Sequence, residues 1–224
     1  NLYVSKSDIP DINDIDGAGD LDVLTFGVIG SRVEYHKNLS VEEGYGCDSL
    51  YYELKNECWG HFMETGFGTN TAILFDTCTV GISDPQKEGE VLKHAGSTML
   101  SLDLNDDGVK DLILGDVSFN NLVALTNDNL GVNMNTSFLS QDTAFPSNTV
   151  SVEMQIFPGS FYEDVDNDGV KDLIVSPNSD NETENHESVW RYKNFGTNTL
   201  PTFGHTQNNF LQGEMIEKGR SAFP

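Results

Sequence analysis

Carboxylates crowd three short stretches of this chain at spacings that call for a cation between them. The first reads Asp14-Ile-Asp16-Gly-Ala18-Gly19-Asp20-Leu-Asp22, and the second Asp103-Leu-Asn105-Asp-Asp107-Gly108-Val109-Lys-Asp111. The third reads Asp164-Val-Asp166-Asn-Asp168-Gly169-Val170-Lys-Asp172. All three have acid or amide side chains at loop positions 1 and 3, Gly at 6 and Asp at 9, followed by an apolar run. Acids this close repel one another unless something positive is held among them. Ca2+ is the expected ion, because it takes six to eight hard oxygen ligands from a flexible loop, whereas Mg2+ demands a stricter octahedron and keeps its waters. The expected ligands are Asp103, Asn105, Asp107 and Asp111 with the Val109 carbonyl, and Asp164, Asp166, Asp168 and Asp172 with the Val170 carbonyl. In the first loop Ala18 removes the acid at position 5, leaving Asp14, Asp16 and Asp22 with Asp20 as a substitute. Gly108 and Gly169 allow the positive φ that wraps the loop. An EF-hand needs a bidentate Glu at position 12 and flanking helices. That position is Leu114 in the second loop and Val175 in the third, inside strand-like runs, so the EF-hand is rejected.

The elements that position these loops are strands in a repeat. Asp22 to Asn38 and Asp111 to Asn127 each span 16 residues, and the intervening stretches end in alternating runs, Val33–Asn38 and Leu122–Asn127. Asp172 to Asn194 spans 22, the excess lying in the polar run from Ser176 to Glu187. A second marker, Gly-Thr-Asn-Thr, begins at Gly68 and again at Gly196. The unit is about 61 residues, as from Asp103 to Asp164, and the first unit is 28 longer. The excess is read as an insertion over about 40–66. The same ruler puts another loop near 231, past the last residue. With Asn rather than Met at position 1, the chain is expected to be an excerpt or processed piece of a longer array. A repeat of four short antiparallel strands opened by an acidic turn fits a β-propeller blade, so residues 1–224 are expected to form part of one all-β propeller domain, with units starting near 14, 103 and 164. The alternative is a β-sandwich with Asp-rich turns. A short helix is conceivable only around Asn208 to Glu217.

Composition narrows the function. With 36 acids against 12 bases the net charge is −24. Nucleic acid and anionic lipid surfaces are excluded as partners, since both require clustered Lys and Arg. The 37% apolar content, with 13 Phe and 7 Tyr, is enough for a packed core. No apolar run approaches the roughly 20 residues of a membrane span, so no membrane insertion is expected. HExxH and GxSxG are absent, and nearly every recognisable acid belongs to a loop, which leaves no catalytic pair to nominate.

Cys47, Cys58 and Cys78 all fall in the first unit. Cys47–Cys58 would staple the insertion and Cys58–Cys78 would tie it to the repeat; three is odd, so at least one thiol is free or pairs outside this segment. A zinc site using His61 matches no known spacing. Tyr51, Tyr52, Trp59, His61 and Phe62 read as a small core of the insertion or, alternatively, a recognition surface. Trp190 and Tyr192 alternate on one strand face and read as core. Asn135 and Asn181 begin N-glycosylation sequons, and Asp48-Ser-Leu and Asp142-Thr-Ala match a short bacterial O-glycosylation signal.

A calcium loop leading into a strand, repeated about every sixty residues as Asp-x-Asn/Asp-x-Asp-Gly-x-x-Asp-Leu, resembles the FG-GAP or VCBS repeats of integrin-like β-propellers. The Asn-rich style of Asp11–Asp16 and Phe195–Pro201 is similar to large secreted Bacteroidetes proteins, which commonly leave the cell by type IX secretion. The resemblance implies a secreted or cell-surface, calcium-binding, non-catalytic module for adhesion, binding or scaffolding. Its partner would be an extracellular protein or glycan, with association to outer-membrane secretion or surface machinery. The alternatives are the propeller portion of a polysaccharide-degrading enzyme and a component or cargo of a surface machine.

Overall fold

The apolar run after each acidic loop is too short for a stable helix. Its residues can be buried on both sides only as a strand between two packed layers. A computed structural model of the protein describes residues 2–28, 30, 32–45, 49–64, 69–75, 96–128, 130, 137–179, 182–184 and 186–215. Among them are strands and turns, with no helix long and apolar enough to cross a membrane. Of the span from Asn208 to Glu217, where a short helix was conceivable, Asn209 bridges to Val189 and residues 210–214 form turns, while 216 and 217 lie outside the described residues.

The first sheet contains β1 (Asp11–Asn13), β2 (Asp22–Phe26), β3 (Val33–Asn38) and β4 (Tyr52–Asn56), followed by a separate hairpin of β5 (Phe62–Glu64) and β6 (Ala72–Leu74). The second contains β7 (Ser97–Leu102), β8 (Asp111–Asp116), β9 (Leu122–Asn127) and β10 (Phe138–Phe145). The third contains β11 (Pro158–Glu163), β12 (Asp172–Pro177), β13 (Trp190–Asn194) and β14 (Phe203–Gln207). In every sheet the strands are antiparallel and follow chain order.

The second sheet lies between the other two. Leu112 pairs with Leu125 and Leu114 with Val123 on one face, where they join Leu24, Phe26, Val33 and Tyr35 of the first sheet. Ile113 pairs with Ala124 on the opposite face and, with Leu122, meets Leu173, Val175, Tyr192 and Phe203 of the third. This explains the unbroken Leu112-Ile113-Leu114: a strand covered on both faces has no polar side to alternate with. Each such side chain contributes roughly 1.5–3 kcal/mol by leaving water.

The first strands gather together. Ile9, just before β1, forms a parallel bridge with Thr98 of β7, through Ile9 N to Ser97 O and Met99 N to Ile9 O, both 3.0 Å. Thr98 Oγ1 donates to the Pro158 carbonyl of β11 at 2.8 Å. Between β1 and β7, Ser101 Oγ donates to Asp11 Oδ2 at 2.5 Å and Asn13 Nδ2 to Ser101 O at 2.8 Å.

One span differs from the expected insertion. Strand β4 lies within 40–66 and is the fourth strand of the first sheet, so the material beyond the repeat follows β4 and includes the β5–β6 hairpin. The Gly68 marker misled, because Ser40 fills the place of Gly196 two residues after the repeat Asn. Ser40 N donates to Asn38 Oδ1 at 3.1 Å, as Gly196 N does to Asn194 Oδ1 at 2.8 Å. Gly68 itself lies outside the described residues.

Candidate metal centre

Each acidic loop joins the first strand of its sheet to the second. All three share one backbone path. Positions 4 and 6 are left-handed throughout: Gly17 (φ 76°) and Gly19 (94°), Asp106 (63°) and Gly108 (81°), Asn167 (60°) and Gly169 (89°). Position 4 went unread in the sequence. Its signal was present, since Gly, Asp and Asn are the residues that tolerate this region best.

The position-1 carboxylate closes the loop by accepting the position-6 N–H: Gly19 N to Asp14 at 3.1 Å, Gly108 N to Asp103 at 2.9 Å, Gly169 N to Asp164 at 2.9 Å. Position 3 accepts from position 5, Ala18 N to Asp16 at 3.0 Å and Asp107 N to Asn105 at 3.1 Å. Val109 and Val170 donate their N–H groups to Asp107 (2.8 Å) and Asp168 (2.9 Å).

Position 9 is the buried anchor, and it gives the repeat spacing a physical meaning. Asp22 accepts from Asn38 N at 2.8 Å, Asp111 from Asn127 N at 2.9 Å and Asp172 from Asn194 N at 2.9 Å. The other oxygen of Asp22 takes Ile15 N at 3.0 Å, and that of Asp111 takes Leu104 N at 2.8 Å. One carboxylate thus fastens its own loop to the end of the third strand. Burial pushes the Asp22 and Asp111 carboxyls up to about 6, against the backbone N–H bonds that favour their charged forms.

Carboxylate oxygens of Asp14, Asp16 and Asp22 lie within 4.8 Å of one another, as do those of Asp164, Asp166 and Asp168. Asp20 stands apart from the first group, accepting Val41 N at 3.1 Å. Both groups are balanced from the third strand. Lys37 pairs with Asp16 and with Glu42. Arg191 pairs with Asp166 and Asp172 at 2.5 and 2.6 Å, and Lys193 with Asp166 and Asp168 at 2.5 and 2.8 Å. Lys193, with Arg191, holds the Asp166 carboxyl below its ordinary value, and Lys193 does the same to Asp168. The second loop has Ala124 and Thr126 at the places of Arg191 and Lys193. Among the described residues no basic side chain forms an ion pair with Asp103, Asp107 or Asp111. The donor sets are all oxygen, which fits Ca2+ or Mg2+ and not a thiolate- or imidazole-seeking metal.

The Gly196–Thr199 marker clasps two loops. Asn198 Oδ1 accepts Lys171 N at 2.7 Å in the third loop, while Thr199 binds Asp106 of the second through its carbonyl (2.8 Å) and hydroxyl (2.6 Å).

Trp59 and Phe62 are buried with Phe138 in the core shared by the first two sheets, and Tyr51 is exposed. His61 Nδ1 meets Ser137 Oγ at 2.6 Å. Cys58 is disulfide-bonded, so it is no zinc thiolate; Cys47 and Cys78 lie outside the described residues. So do Asn135, Asn181 and Asp48. Thr143 is exposed on β10. Tyr192 is fully buried, with Trp190 packed partly against the same core.

No family model matches the chain, and no curated protein does. Among solved structures, a lectin of Agrocybe aegerita, described as recognising non-reducing terminal N-acetylglucosamine, is similar with a TM-score of 0.36 and 14% identity. The match covers 92% of this chain and 54% of that one, so the chain spans about half the lectin's length.

Proposed function

We propose that the three sheets are successive blades of an integrin-like FG-GAP/VCBS β-propeller, and that the acidic loops hold Ca2+ and brace a non-catalytic binding or scaffold module. The observation that carries this is the threefold recurrence of one device: a loop with the same two left-handed positions, closed by its first Asp and anchored by its ninth to the end of the third strand. The clustering of the first strands β1, β7 and β11 supports the propeller, since blades meet along their first strands. A Ca2+ ion in the first or third loop would have to displace Lys37 or Lys193, whereas among the described residues no basic side chain is paired with the acids of the second. The module is read as extracellular or bacterial cell-surface, exported in the manner of type IX cargo, with a protein or glycan partner. The disulfide at Cys58 supports an oxidising compartment.

The test uses Thr126→Lys, which gives the second loop the cation that its neighbours carry. Calcium titration calorimetry should show the second loop's affinity weakened by roughly tenfold or more. Unchanged calcium binding in this variant, with wild-type binding also intact after Asp103→Asn, contradicts the assignment.

A further inference from the structure

The turn between β13 and β14 is a tightly bonded bracket. Asn194, at the end of β13, is buried; its Oδ1 accepts Gly196 N at 2.8 Å and Thr202 N at 2.9 Å, and its Nδ2 donates to Thr197 O at 2.9 Å. Phe195 N donates to Thr202 O and Leu200 N to Thr197 Oγ1, both at 2.9 Å. A Cβ on Gly196 would lie 2.2 Å from Leu200 O, so the turn closes too tightly for a side chain there. The same Asn194 gives its N–H to Asp172, the ninth residue of the third loop.

The tip of the bracket holds each of two acidic loops at two points. Asn198 straddles Val170 of the third loop: its Oδ1 accepts Lys171 N at 2.7 Å and its Nδ2 donates to Gly169 O at 3.3 Å. In a planar trans peptide the N–H and C=O point opposite ways. The Lys171 N–H faces Asn198, so the Val170 carbonyl of the same peptide is turned away from it, and among the described residues no backbone N–H donates to that carbonyl. Val170 O is the backbone oxygen expected to bind the ion, and Asn198 sets its aim. In the second loop, Thr199 O accepts Asp106 N at 2.8 Å and Thr199 Oγ1 donates to Asp106 Oδ1 at 2.6 Å. Asp106 is the left-handed fourth position, between the expected ligands Asn105 and Asp107. Neither Asn198 nor Thr199 is an expected ligand; each holds backbone from which ligands project.

We propose that the 196–199 turn is a shared support for the second and third loops: Asn198 positions the Val170 carbonyl, Thr199 positions the Asp106 backbone, and an ion in either loop favours an ion in the other. The proposal rests on the calcium reading above and adds residues that position ligands without touching the ion. An ion in the second loop fixes the residues on either side of Asp106, and Thr199 with them. Asn198 is the next residue along the chain, so the third loop receives a carbonyl already in place. The affinity gained is the same in both directions. Both side chains are exposed, so removing either takes away hydrogen bonds without opening the core.

The test is a calcium titration of the full chain by NMR, read at the amides of Gly108 and Gly169. Asp164→Asn removes a charge from the third loop but keeps an oxygen for Gly169 N; it should also weaken calcium binding at Gly108, by about fivefold. In a Thr199→Gly background, which loses the hydroxyl and loosens the carbonyl, that effect should fall below about twofold. Asn198→Ala should weaken binding at Gly169 by about fivefold and reduce the calcium-induced carbonyl-carbon shift of Val170. Its melting temperature in chelator should stay within about 2 °C of wild type, which separates lost aim from lost fold. Gly108 affinity indifferent to Asp164→Asn, an effect undiminished by Thr199→Gly, or Asn198→Ala binding at Gly169 like wild type overturns the proposal. Saturation at Gly108 alone also overturns it and leaves calcium in the second loop standing. No saturation at either glycine overturns the calcium reading itself.

Discussion

The ninth aspartate of each loop serves the fold directly, besides being a ligand of the proposed ion. Asp111 is fully buried and accepts Leu104 N, Asn127 N and Asn127 Nδ2. Asp111→Ala strands these donors, each of which costs about 1–3 kcal/mol when buried and unpaired, so urea unfolding in chelator should show a loss of about 3 kcal/mol or more. Asp107→Ala, in the more open part of the loop, should stay within about 1 kcal/mol under the same conditions; equal losses would contradict the anchor. Asp11 makes a different prediction. Burial pushes its carboxyl up to about 6 from 3.8, and the bonds from Ser101 offset this only in part. The folded state therefore holds the proton more tightly than the unfolded chain. The stabilisation is present below about pH 4 and is lost as pH rises toward 6, by about 3 kcal/mol in all. Asp11→Asn should flatten this decline, so that urea midpoints at pH 4.5 and 7.5, measured in chelator, differ less than in wild type. A variant that falls as steeply as wild type refutes this role for Asp11.

At the scale of elements, the close approach of the sheets depends on a residue without a side chain. A Cβ on Gly115 of β8 would lie 1.9 Å from the Pro158 carbonyl and 2.7 Å from Thr98 Oγ1, where β7, β8 and β11 converge. Gly115→Ala should cost about 3 kcal/mol or more in urea unfolding. At nearby Gly159 the nearest atoms to a new Cβ are 3.5 Å away, so Gly159→Ala should change stability by less than about 1 kcal/mol. Similar effects at both positions would mean that the sheets are not in this contact. The sequence made the strands after each loop legible, because Leu112–Leu114 and Leu173–Val175 are short apolar runs bounded by turn residues. The Asp-to-Asn spacing was legible too, although only the structure shows that it measures one hydrogen bond. Strand β4 was hidden. Tyr52–Asn56 alternates Tyr52 and Leu54 with polar residues over too few positions to stand out, its middle three residues are exposed, and the Gly68 marker drew the register away from it. The clasp of Thr199 on Asp106 joins two repeat units, so nothing local in the sequence announced it.

At the scale of the whole molecule, 36 acids against 12 bases is a load that the fold carries partly by placing Lys37, Arg191 and Lys193 against the acidic loops. The second loop has no such ion pair among the described residues, so calcium should contribute most where internal cations contribute least. The second loop is tied to the third sheet through Thr199, so an ion held in that loop would brace two sheets at once. An ion that binds the folded loops and not the unfolded chain raises stability by mass action. The most direct measurement is calorimetric melting in millimolar calcium, in equal magnesium and in excess chelator. A melting temperature several degrees higher in calcium, saturating with concentration and little changed by magnesium, is the result predicted here; identical melts in all three conditions would contradict it.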